Sequence, residues 1–292
     1  MSEYCNGLIS SAESRIPVDA SNNTKPSYWG STAEHLEILR TNEKILPELI
    51  KNPVLRDVSK PTLLHADLNM RNIFISETRP FEITGIIDWQ STAVEPAFMY
   101  ANETPDFACR AVESEDETTD SDDNRTPPSE TKDAKAKTKQ DILLCNEAFE
   151  VCMHGYAPII AKARSTDSTL IRPFLHCNVS WRDSAPAVRQ ELIELSVQWK
   201  DRGLDGSCRY DPTIEDLEKH EEQYSDSEMA QELKLGLMRS LHTDSDGWVA
   251  SADWDVLKHA HDEMFREWLR TAEEAENLDE EKARELWPFD QV

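Results

Sequence analysis

Basic residues are scarce in this chain of 292 residues, which carries 31 Lys and Arg against 57 Asp and Glu and has a formal net charge of -26. Nucleic acids and anionic membrane surfaces are themselves negative, so an acidic chain is poorly suited to bind either of them. The charge balance therefore predicts no nucleic-acid partner. It favours small-molecule or cationic partners instead.

Long apolar runs are absent as well. No segment approaches the roughly 18 consecutive apolar residues that a membrane-spanning helix needs, and the N-terminus has no apolar signal core. Glu3, Glu13 and Asp19 weigh against a mitochondrial presequence, because such segments are rich in Arg and poor in acids. The sequence thus predicts no membrane span and shows no targeting peptide.

The cysteines form no recognisable motif. None belongs to a C-x-x-C pair and no His stands at zinc-ligand spacing from such a pair; the six are Cys5, Cys109, Cys145, Cys152, Cys177 and Cys208. This pattern indicates neither a structural zinc site nor a disulfide framework. We expect ordinary thiols in a reducing compartment.

Enough apolar residues remain to build a core, since 38% of the chain is hydrophobic. Residues 1–30 are rich in Ser and Asn and contain Pro17 and Pro26, which predicts a loosely ordered N-terminal segment. Residues 111–140 are acidic and polar and cannot bury enough apolar area to fold, so we expect a disordered insertion there. That insertion is either a regulatory, phosphorylatable loop or a simple solvated segment.

Most of the remaining chain has helical periodicity. Ser31 and Glu34 form a capping box ahead of a stripe of leucines, and Pro47 predicts a kink or break near the end of that helix. Further helices are predicted over 142–156, 188–199, 253–273 and 278–287, with one more starting at Asp211. Their apolar and aromatic residues are typical of core packing.

The stretch from Pro61 to Trp89 differs from the rest because it reads as short strands joined by turns. Strands are predicted at Thr62 to His65, Ile73 to Ile75 and Ile83 to Ile87, and turn residues between the last two predict an antiparallel hairpin. The predicted fold class is therefore mainly α with a small β-hairpin, an α+β arrangement.

Polar side chains lie at the ends of these short strands. His65, Asp67 and Asn72 precede the hairpin, and Asp88 follows it directly. Phosphoryl transfer uses such a set, because one carboxylate accepts a hydroxyl proton while an amide oxygen and a second carboxylate hold Mg²⁺ on the nucleotide phosphates. The residue types and their order match that chemistry, whereas a lone His65 is more often structural than catalytic.

The motif H-x-D-x-x-x-x-N at residues 65–72, followed by I-I-D-W at residues 86–89, resembles the aminoglycoside phosphotransferase and choline kinase-like superfamily. It resembles in particular a fungal phosphotransferase-like group related to altered inheritance of mitochondria protein 9. The resemblance implies the C-terminal lobe of a protein-kinase-like fold, built from residues 31–110 and 141–292.

The same resemblance implies roles for the residues and for the cofactors Mg²⁺ and ATP. Asp67 is the implied catalytic base, His65 orients its loop, and Asn72 and Asp88 hold the metal on the nucleotide. The implied acceptor is a hydroxyl group of a small molecule. The implied localisation is mitochondrial, with cytoplasmic as the alternative.

Two features depart from active kinase-like enzymes. Asn69 stands where protein kinases have a basic residue, and Arg71 is the nearest cation in sequence. The 64 residues ahead of His65 contain only Gly7 and Gly30 and no strand lysine of the V-A-I-K type, so a nucleotide-clamping N-terminal lobe is not indicated. Two hypotheses follow: an ATP-dependent phosphotransferase, or a non-catalytic pseudoenzyme that serves as an interaction scaffold.

The chemistry of the acceptor also has two interpretations. Glu95, Asp183 and Glu191 would suit a cationic acceptor if they lined its site, as in the aminoglycoside and choline kinases that the motif resembles. Carboxylates are abundant in this chain, so a solvated face is the alternative.

Overall fold

In a computed structural model the chain is mostly helical, with four short strands among the residues that the structure describes. Those residues are 1–17, 26–65, 67–90, 92–109, 132–179, 181, 184–241, 243 and 249–289. Within these ranges no helix has both the length and the apolarity needed to cross a bilayer. The mainly α fold class with a small β component is confirmed.

The elements are as follows. The helices are α1 (Ser2–Arg15), α2 (Thr32–Leu49), α3 (Pro53–Asp57), α4 (Lys132–Tyr156), α5 (Pro158–Arg164), α6 (Ser168–Val179), α7 (Ala185–Gln198), α8 (Ile214–Leu241), α9 (Trp254–Glu274) and α10 (Glu280–Leu286). The strands are β1 (Pro61–Leu64), β2 (Ile73–Ile75), β3 (Ile83–Ile86) and β4 (Ala93–Pro96). Met1–Ile50 with Arg172–Val292 forms one unit, and Lys51–Ile171 forms another.

Helix α1 opens the first unit, so the prediction of a loosely ordered segment at 1–30 is wrong for its first half. The buried face of α1 repeats at helical spacing and packs on α2; it consists of Cys5, Leu8, Ile9 and Ala12. The prolines that suggested loose order do not interrupt this helix, because Pro17 already lies beyond its end. Residues 18–25 lie outside the described part of the chain.

Helix α2 begins with the predicted capping box. The Glu34 backbone N–H donates to Ser31 Oγ at 3.2 Å, and the Ser31 N–H donates to Glu34 Oε2 at 2.8 Å. The helix continues through Pro47 and ends at Leu49. Its inward face is completely buried and forms the centre of the unit; it includes Leu39, Ile45, Leu46 and Leu49.

Other helices of this unit pack against one another: α7 contacts α2 and α8, and α10 contacts α8 and α9. The predicted helices at 188–199, 253–273 and 278–287 are confirmed as α7, α9 and α10. The helix expected from Asp211 begins slightly later, where the Asp216 N–H donates to Thr213 Oγ1 at 3.2 Å.

Gly30 allows the turn before α2 to approach the start of α7. Its φ is 87°, in the left-handed region, and a Cβ added there would lie 2.5 Å from the Cβ of Ala185. Any other residue at this position would therefore clash and would also strain the backbone.

The second unit contains two antiparallel strand pairs. In the first, β1 pairs with β4 in the register Leu63 to Val94; in the second, β2 and β3 form the predicted hairpin with Ile73 opposite Ile86. The hairpin is confirmed, and the Ser76 N–H closes its turn by donating to Glu82 O at 2.9 Å. Strand β4 was not predicted, because its partner lies on the far side of the hairpin in sequence.

Helix α4 begins at Lys132, inside the segment expected to be a disordered insertion. No proline or glycine follows Pro128 before residue 140, so nothing in the sequence interrupts a helix there. Residues 110–131, which hold most of the expected insertion, lie outside the described residues. Farther along α4 the buried Asn146 donates from Nδ2 to Ala108 O at 2.7 Å and ties the helix to its unit.

Candidate active site

His65 follows β1 and links the loop after that strand to the end of β3. The Asp67 N–H donates to His65 Nδ1 at 3.2 Å, so Nδ1 is an acceptor and the ring proton lies on Nε2. Nε2 then donates to Ile87 O at 2.8 Å, and the Trp89 ring packs edge-on at a centroid distance of 4.7 Å. Both ring nitrogens are therefore engaged by main-chain atoms.

Asp67 lies at the centre of a dense set of donors. Asn69 Nδ2 donates to Oδ1, while Oδ2 accepts from Arg71 Nη2 at 2.7 Å and from Asn72 Nδ2 at 3.1 Å. The hydrogen bond from Arg71 and its positive charge hold the pKa of the Asp67 carboxyl below its usual value, against a smaller opposing effect of burial. Asp67 is therefore a carboxylate at neutral pH.

Asn72 is only 4% exposed and ends the short 3₁₀ turn Met70–Asn72. Its Nδ2 donates both to Asp67 O at 2.8 Å and to the Asp67 carboxylate. These two bonds fix the orientation of the amide and leave Oδ1 available as an acceptor. Its main-chain oxygen accepts the Ile87 N–H at 3.0 Å, which joins this turn to β3.

Asp88 follows Ile87 and has a φ of 66°, in the left-handed region. Asp and Asn tolerate that conformation better than other residues with a side chain, and such backbone positions are frequent at functional sites. Trp89 supports the turn, because its Nε1 donates to Ile86 O at 2.8 Å. The structure thus joins all four predicted residues, His65, Asp67 and Asn72 directly and Asp88 through the Ile87 peptide.

Asp106 is a supporting residue that sequence reasoning missed. Its Oδ1 accepts the Met70 N–H at 2.8 Å and the Phe107 N–H at 2.8 Å. The first of these bonds joins the turn between Asp67 and Asn72 to a segment that is distant in sequence. No local motif marks such a contact, because the two partners lie far apart in sequence.

A cavity of about 240 Å³ lies beside Asp67. It is lined by Leu64, His65, Asp67, Leu68, Asn69, Tyr100, Glu103, Thr104, Pro105, Phe149, Met153 and Ile160. Burial and the nearby Glu95 raise the pKa of the Tyr100 hydroxyl, which therefore stays protonated and can donate. The cavity combines apolar walls with a few polar groups, as small-molecule sites do.

Arg164 supports the side of this cavity that Phe149 forms. It donates to Ala101 O at 2.8 Å and to Glu150 Oε1 at 2.9 Å, and its guanidinium lies 5.6 Å from the centroid of the Phe149 ring. Tyr100, Glu103, Thr104 and Phe149 were not predicted as site residues, because no motif surrounds them.

The acidic residues that were considered for a cationic acceptor have different surroundings. Glu95 lies on β4 opposite Thr62 and close to Tyr100. Glu191 accepts from Arg172 Nη1 at 2.9 Å, so its charge already has a partner. Asp183 lies outside the described residues.

The donor set at Asn72 and Asp88 fits Mg²⁺, which prefers oxygen ligands and is commonly held by one or two carboxylates together with substrate phosphates and water. Asn72 offers a free amide oxygen, and Asp88 offers a carboxylate that makes no hydrogen bond or ion pair with the described residues. Across the same part of the chain, no three His, Cys, Asp or Glu side chains gather as a metal-binding group. A site of this kind would therefore depend on ligands from the nucleotide.

A comparison with known protein families covers the strand pairs and the loop between them. A model of the phosphotransferase enzyme family, APH, matches residues 18–99. The match includes all four strands and the four predicted site residues, and it supports the aminoglycoside phosphotransferase and kinase-like superfamily. No curated protein and no solved structure matches the chain.

Proposed function

We propose that this protein transfers the γ-phosphoryl group of ATP to a hydroxyl group of a small molecule. The observation that carries the proposal is the direct hydrogen bonding between Asp67 and Asn72. In addition, the Ile87 backbone next to Asp88 bonds to Asn72 directly and to Asp67 through His65. The match to the phosphotransferase family over the same residues supports it. We include ATP and Mg²⁺ because phosphotransfer in that family generally depends on them.

Asp67 is the general base in this proposal. The acceptor oxygen bonds to the γ-phosphorus, the bond from that phosphorus to the β–γ bridging oxygen breaks to leave ADP, and the hydroxyl proton passes to the Asp67 carboxylate. A lowered pKa suits this role, because the group is ionised before the acceptor arrives. Asn72 and Asp88 would hold Mg²⁺, which would neutralise charge on the nucleotide phosphates.

The cavity beside Asp67 is the proposed acceptor site. The residues that line it include the acidic Asp67 and Glu103 and the aromatic Tyr100 and Phe149. Carboxylates and aromatic faces both attract cations, so a small cationic molecule that carries a hydroxyl is the acceptor class that we favour.

The finer family assignment belongs to the same proposal. We assign residues 31–110 and 141–292 to the C-terminal lobe of a kinase-like fold and treat residues 111–140 as an insertion. The fungal group related to altered inheritance of mitochondria protein 9 is the proposed relative, on the strength of the H-x-D-x-x-x-x-N motif together with I-I-D-W at residues 86–89.

A thermal-shift titration with Mg-ATP tests the proposal. At a nucleotide concentration of about 100 Kd, the free energy of unfolding should rise by about 2.7 kcal/mol, and only when Mg²⁺ is present. Asp88→Asn should abolish this shift, whereas Glu77→Gln, which removes one exposed charge from the hairpin turn, should keep it. A shift retained by Asp88→Asn, or a shift independent of Mg²⁺, contradicts the metal assignment.

A second candidate function is a non-catalytic interaction scaffold, and the hairpin favours it. Large apolar side chains are exposed there, with Phe81 at 87% exposure and Phe74, Ile75 and Ile83 each more than half exposed. Exposed apolar clusters of this kind are typical of interaction surfaces. A protein that shows native circular dichroism but no Mg-dependent shift would support the scaffold over the enzyme.

A further inference from the structure

We propose that Arg71 binds the terminal phosphate of the nucleotide, and that the Arg71 guanidinium pairs with Asp67 until the nucleotide binds. The inference rests on the proposed phosphotransferase function and names a residue that the family resemblance does not. It also supplies a cation to a site whose preceding sequence has no recognisable nucleotide lysine.

The first observation is the position of Arg71. It lies on the turn Met70–Asn72, directly before the proposed metal ligand Asn72, and its Nη2 lies 2.7 Å from Asp67 Oδ2. A phosphate bound through a metal at Asn72 would therefore arrive beside this guanidinium.

The second observation is that the guanidinium is free to change partners. The Arg71 side chain is 70% exposed, and its only hydrogen bond or ion pair with the described residues is the one with Asp67. Exposed ion pairs of this kind contribute little to stability, so separating this pair costs the fold little. Arginine carries five N–H donors in a planar fork, of which this contact uses one.

The third observation is that residues 61–90 contain only one other cation, and that cation is already paired. The only other Lys or Arg in residues 61–90 is Arg79, which is paired with Glu82 at 2.7 Å in the hairpin turn. Arg71 is thus the one Lys or Arg within that stretch that contacts the candidate base.

These observations give Arg71 two partners at different stages. Carboxylates and phosphates both accept a guanidinium bidentately, but a terminal phosphate group carries more negative charge than one carboxylate. An arriving nucleotide should therefore attract Arg71 more strongly than Asp67 does. When Arg71 turns to the phosphate, one acceptor position on Asp67 Oδ2 becomes available to the acceptor hydroxyl. Nucleotide binding would then prepare the base for the second substrate.

The test is isothermal titration calorimetry of the full chain with Mg-AMP-PNP, which has a γ-phosphate, and with Mg-ADP, which lacks one. Arg71→Ala and Arg71→Gln should weaken Mg-AMP-PNP binding by about ten- to a hundredfold, the usual worth of a charged hydrogen bond. Mg-ADP binding should change far less. Arg71→Lys should restore part of the loss, because it keeps the charge.

Arg79→Ala is the matched control, since it removes an exposed arginine from the neighbouring hairpin turn and should leave both affinities unchanged. Arg71→Gln guards against a purely structural effect, because it keeps a donor near Asp67 and should unfold at the wild-type temperature. Wild-type protein that binds Mg-AMP-PNP while the Arg71 variants bind it equally well overturns the role of Arg71 alone. Wild-type protein that binds neither nucleotide overturns the proposed function and this role together.

Discussion

The side-chain amide of Asn72 donates to two oxygens of Asp67, the main-chain oxygen at 2.8 Å and carboxylate Oδ2 at 3.1 Å. The candidate base and the candidate metal ligand are therefore held by one another. A change at either residue should disturb both roles, so single substitutions need controls elsewhere in the same unit.

Replacing Asp67 by Asn tests the base directly. Turnover should fall by about 10²- to 10⁴-fold, because an amide cannot accept the hydroxyl proton. Asp57→Asn is the control, since Asp57 is an exposed carboxylate of the same unit that pairs with Lys162. The measurement is initial rate with a hydroxyl acceptor at saturating Mg-ATP. Turnover retained by Asp67→Asn would rule out the base assignment.

Replacing His65 by Ala removes the link between the Asp67 N–H and Ile87 O. We expect the free energy of unfolding to fall by about 1 to 3 kcal/mol, since two main-chain groups lose a partner. Turnover should also fall, but the shape of the pH–rate profile should stay the same, because both ring nitrogens are occupied in orienting the loop. Disappearance of a limb of that profile in the variant would instead indicate a proton-transferring histidine.

Asp106 should act by positioning the loop and not by its charge. Asp106→Ala removes the acceptor for the Met70 N–H and should lower kcat, with little change in the KM for the acceptor. Asp106→Asn keeps an oxygen that can accept this N–H and should recover most of the lost turnover. Equal losses in the two variants would contradict a positioning role and point to the charge.

The core of the first unit offers a test of the packing. Leu39 is completely buried on α2, so Leu39→Ala should lower the free energy of unfolding by about 2 to 5 kcal/mol in urea titrations. Val197 on α7 is 78% exposed, and Val197→Ala should change stability by no more than about 0.5 kcal/mol. Similar losses for both would show that α2 does not form the centre of the unit.

Stability below neutral pH should depend on His220. It is 4% exposed on α8, its Nε2 lies 2.9 Å from Gln190 Oε1, and burial followed by the charge of Arg189 lowers its pKa from 6.5 to about 4. Between these two pH values the unfolded chain binds a proton that the folded chain does not. The free energy of unfolding should therefore fall as pH drops from about 6.5 to 4, by on the order of 3 kcal/mol from this group.

Urea titrations across that pH window measure the effect. His220→Gln should flatten the loss of stability with falling pH, while His259→Gln, at an exposed histidine of the same unit, should leave the wild-type slope. An unchanged slope in His220→Gln would show that other groups cause the acid sensitivity.

Local sequence signals predicted the parts of the fold that local physics determines. The capping box at Ser31 and the β2–β3 hairpin depend on residues a few positions apart, so both could be derived from the sequence. The same holds for the loop from His65 to Asn72, whose polar residues are held mainly by one another.

Contacts between distant segments could not be derived in this way. The Asp106 bond to Met70, the pairing of β4 with β1 and the Phe149 side of the cavity all join residues with no shared motif. Helix α1 was missed for a different reason: its apolar stripe is short, and the polar residues around it and the prolines after it suggested loose order. The contact of Arg71 with Asp67 depends on the turn geometry, which spacing alone does not specify.

Both main-chain polar groups of Ile87 are hydrogen-bonded: its N–H donates to Asn72 O at 3.0 Å, and its oxygen accepts from His65 Nε2 at 2.8 Å. The end of β3 therefore cannot fray without releasing Asp88 and loosening the turn that ends at Asn72. We therefore expect local opening of the hairpin and loss of the site to occur as one cooperative event, which amide hydrogen exchange at Ile87 would follow. A single backbone proton thus reports how long the site stays assembled.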